Sequence, residues 1–369
     1  MSTFNPSDEL FVKMAVELAE GGRFTCAPNP CVGCVIVNQG KVIGRGFHQR
    51  SGEAHAEVHA LQDAQKQSQS VKGATVYVSL EPCAFVGRTP ACAQTLIDAQ
   101  VGRVVVGLVD PHQQVAGQGI AMLQAAGIVV DVVDEQAEVA QAAAQIVQGY
   151  VTRITHKRPF VRIKTATSLD GAIATASGQS KWITSDAARR DVQYWRARSD
   201  AVVTGVGTVL ADDPRMNVRE EGLMPVKQPL RVVLDRTLRI PLQANLLNDG
   251  LPTLICHNTG LNVEHSFASS VEVLAVPQDT QLANILDHLA QVGCNEVLVE
   301  AGPKVVGAFV AAGLWDEWIA YVAPKLLGHQ GQAVAQFDVA HLEDAPYGKI
   351  VDSQRLGNDL RFTLRNTSM

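Results

Sequence analysis

Three residues that lie far apart in the sequence constrain how the first half of this chain can fold. His55 precedes Glu57 by two positions, and Cys83 and Cys92 follow later in the chain. One imidazole and two thiols can bind a zinc ion only if the fold brings them together. Three protein ligands leave a fourth position for water, whose pKa the metal lowers to about 7. The pattern therefore predicts a hydrolytic zinc site, with Glu57 as the group that carries protons.

The local sequence places these ligands at the ends of secondary-structure elements. Residues 54–66 favour a helix, with the histidine and the glutamate in its first turn. Residues 74–80 predict a buried strand that leads into Cys83, and residues 91–99 predict a second helix with Cys92 near its start. Two helix N-termini would then converge on the metal and stabilise both thiolates. Nucleobase deaminases use these ligand types with a glutamate that does not bind the zinc.

The chain has seven cysteines, which leaves other zinc arrangements open. Cys31 and Cys34 could complete a structural site of four cysteines with the two thiols already named. We rank that arrangement lower, because residues three apart in a strand point to opposite faces. A zinc-stabilised binding module without catalysis would need a fourth protein ligand, for which His48 or His59 is available.

Composition narrows the functional classes. The chain has 369 residues, of which 46% are hydrophobic and 18% charged, so that two domains can each bury a core. The net charge of -6 provides no basic surface, and we expect no nucleic-acid partner. Residues 1–9 are polar and no long uncharged apolar stretch follows, so we expect neither a secretory signal nor a membrane span. We therefore expect a cytoplasmic protein with reduced cysteines.

Alternating strand and helix patterns divide the chain into two domains. Residues 1–152 predict an α/β/α layered domain that closes with a long helix over 135–152. A short basic stretch that ends in proline, residues 153–159, separates it from the second domain. Residues 153–369 begin a new series of strands and helices, so both domains belong to the α/β class.

One turn in the second domain has the form of a phosphate site. The strand 296–300 runs into Ala301-Gly302-Pro303, and a helix follows over about 304–312. Backbone N–H groups and a helix N-terminus at such a turn can hold a phosphate. No complete glycine fingerprint or P-loop lysine accompanies it, so a purely structural turn explains the sequence equally well.

Eight motifs follow one another across both domains: Ala27-Pro28-Asn29-Pro30-x-Val32-Gly33, His55-Ala56-Glu57, Glu81-Pro82-Cys83 with Gly87-Arg88-Thr89-Pro90-x-Cys92, Ser168-Leu169-Asp170-Gly171, Trp182-Ile183-Thr184-Ser185, GVGTVLADDP over 205–214, Glu300-Ala301-Gly302-Pro303 and Ala323-Pro324-Lys325-Leu326-Leu327-Gly328. In this order they resemble the bifunctional riboflavin-biosynthesis deaminase/reductase family. The eight residues between the two ligand cysteines also match that family, whereas a generic deaminase has two.

The resemblance implies a fold and two activities. A cytidine-deaminase-like α/β/α domain would precede a dihydrofolate-reductase-like α/β domain. The first would use Zn2+ to hydrolyse the 2-amino group of 2,5-diamino-6-(5-phosphoribosylamino)pyrimidin-4-one, and the second would reduce the ribosyl chain with NADPH. The partner would then be a small phosphorylated pyrimidine, and we expect a homo-oligomer. A tRNA-type nucleic-acid deaminase would share the zinc site, but it leaves the second domain unexplained.

The resemblance also implies roles for individual residues. Those expected to contact the cofactor are Ala166, Trp182, Thr208, Asp212, Gly302, Pro303, Lys304, Val305, Val306, Gly307 and Ala308. Those expected to contact the substrate are Asn29, Ser180, Arg196, Met216, Arg219 and Glu300. The planar guanidinium of Arg196 suits a phosphate dianion, because it donates paired hydrogen bonds. From the residues alone, Asn29 is a turn residue, Trp182 an ordinary aromatic, and Arg196 and Arg219 solvated charges.

Overall fold

The computed structural model describes residues 5–85, 90–112, 115–223, 227–262, 266–278 and 281–367. The motif residues Gly87, Arg88 and Thr89 lie outside these ranges. The chain forms two compact units, Met1–Lys157 and Arg158–Met369. No helix in the described ranges has the length and apolar character that a membrane span requires.

The first unit is a five-stranded sheet with helices on both faces. Its helices are α1 (Pro6–Ala19), α2 (Ala56–Lys66), α3 (Cys92–Asp98), α4 (Gln118–Ala125) and α5 (Glu138–His156). Its strands are β1 (Gly33–Asn38), β2 (Lys41–Phe47), β3 (Thr75–Val78), β4 (Arg103–Val106) and β5 (Val129–Val132). The strand order is β2-β1-β3-β4-β5, with β3, β4 and β5 parallel. Helices α1 and α5 bury one face of the sheet and α2, α3 and α4 the other, which confirms the α/β/α layering.

The end of α5 differs from the sequence prediction. The helix continues to His156, so a domain boundary after residue 152 would cut through it. Arg153 and His156 lie in the last turn, where positive charge opposes the negative end of the helix dipole. Lys157 then ends the helix in the left-handed conformation, with φ of 57°. The division between the units therefore follows this residue.

The second unit is a nine-stranded sheet that is mostly parallel. Its strands are β6 (Phe160–Ser168), β7 (Ala201–Gly205), β8 (Leu230–Leu234), β9 (Thr253–Asn258), β10 (Val271–Val276), β11 (Glu296–Val299), β12 (Glu317–Ala323), β13 (Gly348–Leu356) and β14 (Asp359–Asn366). Its helices are α6 (Asp186–Arg198), α7 (Val206–Asp212), α8 (Asn245–Asn248), α9 (Gln281–Gln291) and α10 (Pro303–Ala311). The order is β10-β9-β8-β7-β11-β6-β12-β14-β13, in which β14 runs antiparallel to both of its neighbours, β12 and β13, and the other neighbouring pairs are parallel. The predicted α/β class is thus confirmed for both units.

A buried cluster of charges joins the central strands of this sheet. Arg162 on β6 is fully buried and donates to Glu317 on β12 and to Glu296 on β11, each at 2.6 Å. Arg198 donates to Glu296 at 2.8 Å, and Arg365 donates to Glu317 at 3.1 Å. Burial raises the pKa of Glu296, but Arg162 and Arg198 lower it by a larger amount, so that the pKa lies well below its usual value. Glu296 is therefore ionised, and each of the two carboxylates has two cationic partners.

We expect Arg162→Met to destabilise the second unit by about 3 kcal/mol, because it leaves two buried carboxylates with one partner each. The measurement is the free energy of unfolding in urea. Arg190→Met is the control, since Arg190 is exposed on α6 and its loss should change that free energy by no more than about 0.5 kcal/mol. Equal stability of the two variants would contradict a structural role for the cluster.

Candidate functional site

The start of α2 positions the imidazole and the carboxyl group of the first site. His55 is the N-cap residue, with extended backbone (φ -77°, ψ 171°), rather than part of the first turn as the sequence suggested. Glu57 lies in that turn and is 3% exposed. The helix lies close to the sheet because β2 carries Gly46, where a Cβ would approach the carbonyl oxygen of Ala56 to 2.4 Å. The absence of a side chain at Gly46 therefore allows α2 to pack close to the sheet.

Two loops bring the thiols to the same place. Cys83 lies in the turn after β3, and Cys92 is the first residue of α3. The backbone N–H of Cys92 donates to the Sγ of Cys83 at 3.3 Å. The buried Glu81 anchors the turn, because its carboxylate accepts from the N–H groups of Gly117 at 3.0 Å and Ile120 at 3.2 Å. Glu81 therefore supports the site, a role that its position in the sequence did not reveal.

The ligand atoms have the separations of a zinc site. His55 Nδ1 lies 3.2 Å from Cys92 Sγ and 3.7 Å from Cys83 Sγ. The three ligand atoms lie within 4.8 Å of one another, and among the described residues only this group has the composition and spacing of a metal site. A tetrahedral zinc ion with ordinary bond lengths would separate nitrogen and sulfur ligands by roughly 3.5 Å. The donor set and its dimensions fit zinc, with one position left for a non-protein ligand.

The charges at this site are mutually dependent. A hydrogen bond from Cys92 lowers the pKa of Cys83 to about 4, and His55 and the N–H of Cys92 contribute to the shift. The hydrogen bond to Cys83 raises the pKa of His55. Burial raises the pKa of Glu57, and the negative charge of Cys83 adds to the effect. The raised pKa brings the carboxyl group of Glu57 closer to the range in which a group can both accept and return a proton.

Neither alternative zinc arrangement has support in the geometry. Both ring nitrogens of His48 are engaged, Nδ1 with the carbonyl oxygen of Ala54 and Nε2 with the side-chain amide of Asn29, each at 3.0 Å. Nε2 accepts from the amide nitrogen, so His48 is neutral and carries its proton on Nδ1. Burial also lowers its pKa. His48 is thus no fourth ligand but the residue that holds Asn29.

The other cysteines near β1 also stay apart from the metal ligands. Cys34 is fully buried in the core formed with α2, α3 and α4. Cys31 packs instead against the core on the α1 and α5 face. Cys31 lies two residues before β1, so the two cysteines are not on one strand, but they face different cores as expected. His59 has no hydrogen-bond partner for Nε2 among the described residues and does not belong to the metal group.

The second candidate site has a buried salt bridge at its centre. Glu300 directly follows β11 and accepts from Arg196 of α6 through both oxygens, at 2.6 and 3.0 Å. Lys164 of β6 places Nζ 3.8 Å from the same carboxylate. Burial lowers the pKa of Lys164, although Glu300 partly opposes the shift. Two predicted substrate residues are thus in contact with each other, and Lys164, which the sequence did not indicate, joins them.

The remaining predicted substrate residues differ in accessibility. Arg219 is an exposed residue, although partial desolvation of its guanidinium and the positive charge of Arg196 lower its pKa. Ser180 is half-buried in the loop before α6. Met216 is 3% exposed and packs with Trp195 in the core, so only its backbone could reach a ligand. Arg196 is not the solvated charge that the residues alone suggested, because its fork is already paired.

Predicted cofactor residues collect where the parallel strands end. Thr208 on α7 lies near the start of α10, since a Cβ at Gly302 would be 3.9 Å from its Oγ1. Asp212, at the end of α7, forms an ion pair of 3.1 Å with Lys181. Trp182, which follows Lys181 in the sequence, is 61% exposed. These contacts bring two helices and the loop that carries an exposed indole to one edge of the sheet.

The other predicted cofactor residues contribute backbone or packing. Pro303 and Lys304 form the first turn of α10, whereas Val306 is fully buried in the core. Gly307 permits a close backbone approach, because a Cβ there would lie 1.9 Å from the carbonyl oxygen of Gln336. Val305 packs against the same core, and Ala166 lies on β6 in register with Tyr321. Ala308 continues the helix.

Measured zinc content should distinguish the metal ligands from Glu57, which lies beside them. We expect Cys83→Ala to lose the metal, because two protein ligands hold zinc poorly. Glu57→Gln should retain it, since Glu57 is isosteric with glutamine and is no ligand in this arrangement. The measurement is zinc per chain by elemental analysis after dialysis. Stoichiometric zinc in Cys83→Ala would contradict the ligand assignment.

Comparison with known proteins gives a family match for each of the two units. Residues 5–108 match the family model of the cytidine and deoxycytidylate deaminase zinc-binding region, and residues 159–362 match that of the RibD C-terminal domain. The riboflavin biosynthesis protein RibD of Escherichia coli (strain K12) is 41% identical over 367 residues, which cover 96% of this chain and 98% of that protein. The RibD of Haemophilus influenzae is 40% identical over 98% of each chain.

Solved structures agree over the same length. Acinetobacter baumannii RibD superposes with a TM-score of 0.88 and 41% identity, over 98% of this chain and 99% of that one. A diaminohydroxyphosphoribosylaminopyrimidine deaminase/5-amino-6-(5-phosphoribosylamino)uracil reductase from Thermotoga maritima also gives 0.88, with 32% identity and the same coverage. The chain therefore belongs to the RibD family of riboflavin biosynthesis proteins, with a deaminase-type zinc-binding region followed by a RibD C-terminal domain.

Proposed function

We propose that this chain catalyses two consecutive steps of riboflavin biosynthesis. The first unit deaminates 2,5-diamino-6-(5-phosphoribosylamino)pyrimidin-4-one by hydrolysis. The second unit reduces the ribosyl chain of the product with NADPH, which gives 5-amino-6-(5-phosphoribitylamino)uracil. The observation that carries the proposal is the convergence of His55, Cys83 and Cys92 beside the buried carboxyl group of Glu57.

In the deaminase step, the protein holds the ring and moves protons. A zinc ion bound by the three ligands would lower the pKa of water. Glu57 would accept a proton from the water that adds to the ring carbon and deliver it to the ring nitrogen. It would then accept the proton of the added hydroxyl group and deliver it to the amine, which leaves as ammonia while the carbonyl forms. Its raised pKa suits both directions of transfer. Asn29, held by its amide N–H on neutral His48, keeps its amide oxygen for a donor group of the pyrimidine.

In the reductase step, the protein positions a phosphate and supplies a proton. NADPH would supply the hydride. The helix starts of α7 and α10 offer backbone N–H groups to its phosphates. Arg219 is exposed and suits the phosphate of the substrate better than Arg196, whose donors Glu300 already engages. Lys164 is buried beside Glu300 with a lowered pKa, so it can donate the proton that the reduction needs.

The proposal extends to the setting of the enzyme. We propose a cytoplasmic location, in keeping with seven cysteines of which none forms a disulfide. We propose no nucleic-acid partner, in keeping with the net charge of -6. Self-association as a homo-oligomer has support at the outer strand β13, which exposes Ile350 (59%) and Val351 (50%) next to Tyr347 (71%). Strand edges with exposed apolar side chains are usually covered by another chain.

Product identification tests the proposed function. The full-length protein receives the diaminopyrimidine phosphate with and without NADPH, and products are identified by mass. We expect replacement of one amino group by oxygen without NADPH, and a further gain of two hydrogens with it. Glu57→Gln should slow the first change by about 10²-fold or more, as expected for the loss of acid/base catalysis. No change of mass under either condition would contradict the proposal.

The phosphate contact predicts a selective effect of Arg219. Arg219→Ala should raise the Km of the reductase step for the phosphorylated sugar by roughly tenfold, since a charge-assisted hydrogen bond contributes about 1.5–3 kcal/mol. Arg219→Lys should recover part of the loss, and Arg190→Ala, an exposed arginine on α6, is the control without effect. Steady-state kinetics at saturating NADPH provides the measurement. An unchanged Km for Arg219→Ala would remove this residue from the phosphate site.

A further inference from the structure

Two cysteines outside the zinc site lie in contact on either side of Asn29. The Sγ atoms of Cys26 and Cys31 are 2.7 Å apart. None of the seven cysteines, all of which lie in described ranges, takes part in a disulfide. Cys26 is 2% exposed, whereas part of Cys31 is accessible to solvent. The pair thus combines one accessible thiol with one buried thiol directly behind it.

The backbone of the loop holds the two sulfurs together. The N–H of Cys26 donates to the carbonyl oxygen of Gly22, and the N–H of Asn29 donates to that of Cys26, each at 2.9 Å. Arg153 donates to the carbonyl oxygen of Pro28, also at 2.9 Å. These bonds are independent of the sulfur atoms. From 2.7 Å, the sulfurs need to approach by only about 0.7 Å to reach the disulfide bond length of about 2.05 Å.

We propose that Cys26 and Cys31 form a reversible thiol–disulfide switch that reacts with small disulfides of the glutathione class. The thiolate of Cys31 attacks oxidised glutathione, forms a mixed disulfide and releases one glutathione thiolate. The thiolate of Cys26 then attacks the Sγ of Cys31 and displaces the second glutathione. In total the protein loses two protons and two electrons, and one oxidised glutathione becomes two reduced glutathiones.

The switch acts on the deaminase site through Asn29, and this part rests on the proposed function. Asn29 lies between the two cysteines, and its amide contacts His48 at 3.0 Å. Closure of the disulfide pulls the two ends of this short loop together and shifts the amide between them. The loss of one substrate hydrogen bond would raise the Km by about 3- to 10-fold. In a reducing compartment the dithiol is the resting form, and the disulfide forms only under oxidising conditions.

The experiment uses the full-length, zinc-loaded protein and oxidised glutathione as the probe. After exposure, remaining thiols are alkylated, and peptides are mapped by mass. We expect a Cys26–Cys31 link that dithiothreitol removes, together with a 3- to 10-fold rise in the deaminase Km that the same treatment reverses. Zinc content before and after oxidation identifies any damage to Cys83 and Cys92.

Two variants make the result specific. Cys31→Ser should form no link and should keep its Km under oxidation, while Cys294→Ala, a buried cysteine of the second unit, should respond as the unmodified protein does. Absence of the Cys26–Cys31 link in the unmodified protein overturns the site. A link without a change of Km overturns the switch. If the reduced protein had no deaminase activity, the proposed function would be wrong. The peptide map would still show, independently of activity, whether the Cys26–Cys31 link forms.

Discussion

Arg162 loses all contact with water on β6, and the neighbouring strands have to supply its partners. Glu296 and Glu317 do so from β11 and β12, so the order of the central strands and the pairing of the charges depend on each other. A buried cation without such partners would be strongly destabilising. The register of these three strands therefore has an electrostatic as well as a hydrophobic basis. Because Glu300 follows β11 directly, the same register determines where the second site lies.

The same physics produces a different outcome at Glu300. Lys164, Arg196 and Arg219 surround this single carboxylate, so positive charge exceeds negative charge there. In the Arg162 cluster, two carboxylates meet the arginines and each has paired hydrogen bonds. The cations of the two groups differ in burial, since Arg219 is exposed and the side chain of Lys164 is 19% exposed, whereas Arg162 is fully buried. Part of the positive charge around Glu300 is therefore open to solvent, unlike that at the centre of the structural cluster.

The parts of the sites that sequence could predict are those whose geometry is local. Strand ends and helix starts placed His55, Glu57, Cys83 and Cys92 together, because short elements on either side define their positions. Residues whose roles arise from distant partners could not be recognised. Lys164 looks like any strand residue until Glu300 lies beside it, and His48 like any histidine until Asn29 contacts it. The pattern of residues also gives little indication of β13, since this strand is exposed along most of its length and has no alternation of buried and exposed residues.

Gly46 shows that a position without a side chain can belong to a metal site. Its hydrogen atom faces the carbonyl of Ala56, one residue after the imidazole ligand. The distance between β2 and α2 thus depends on the lack of a Cβ atom at Gly46. A larger side chain here would push α2 away from β2 and move His55 with it, so metal affinity depends on the thickness of this layer contact as well as on ligand chemistry. The effect of substituting Gly46 therefore measures how rigidly the fold holds the zinc ligands in place.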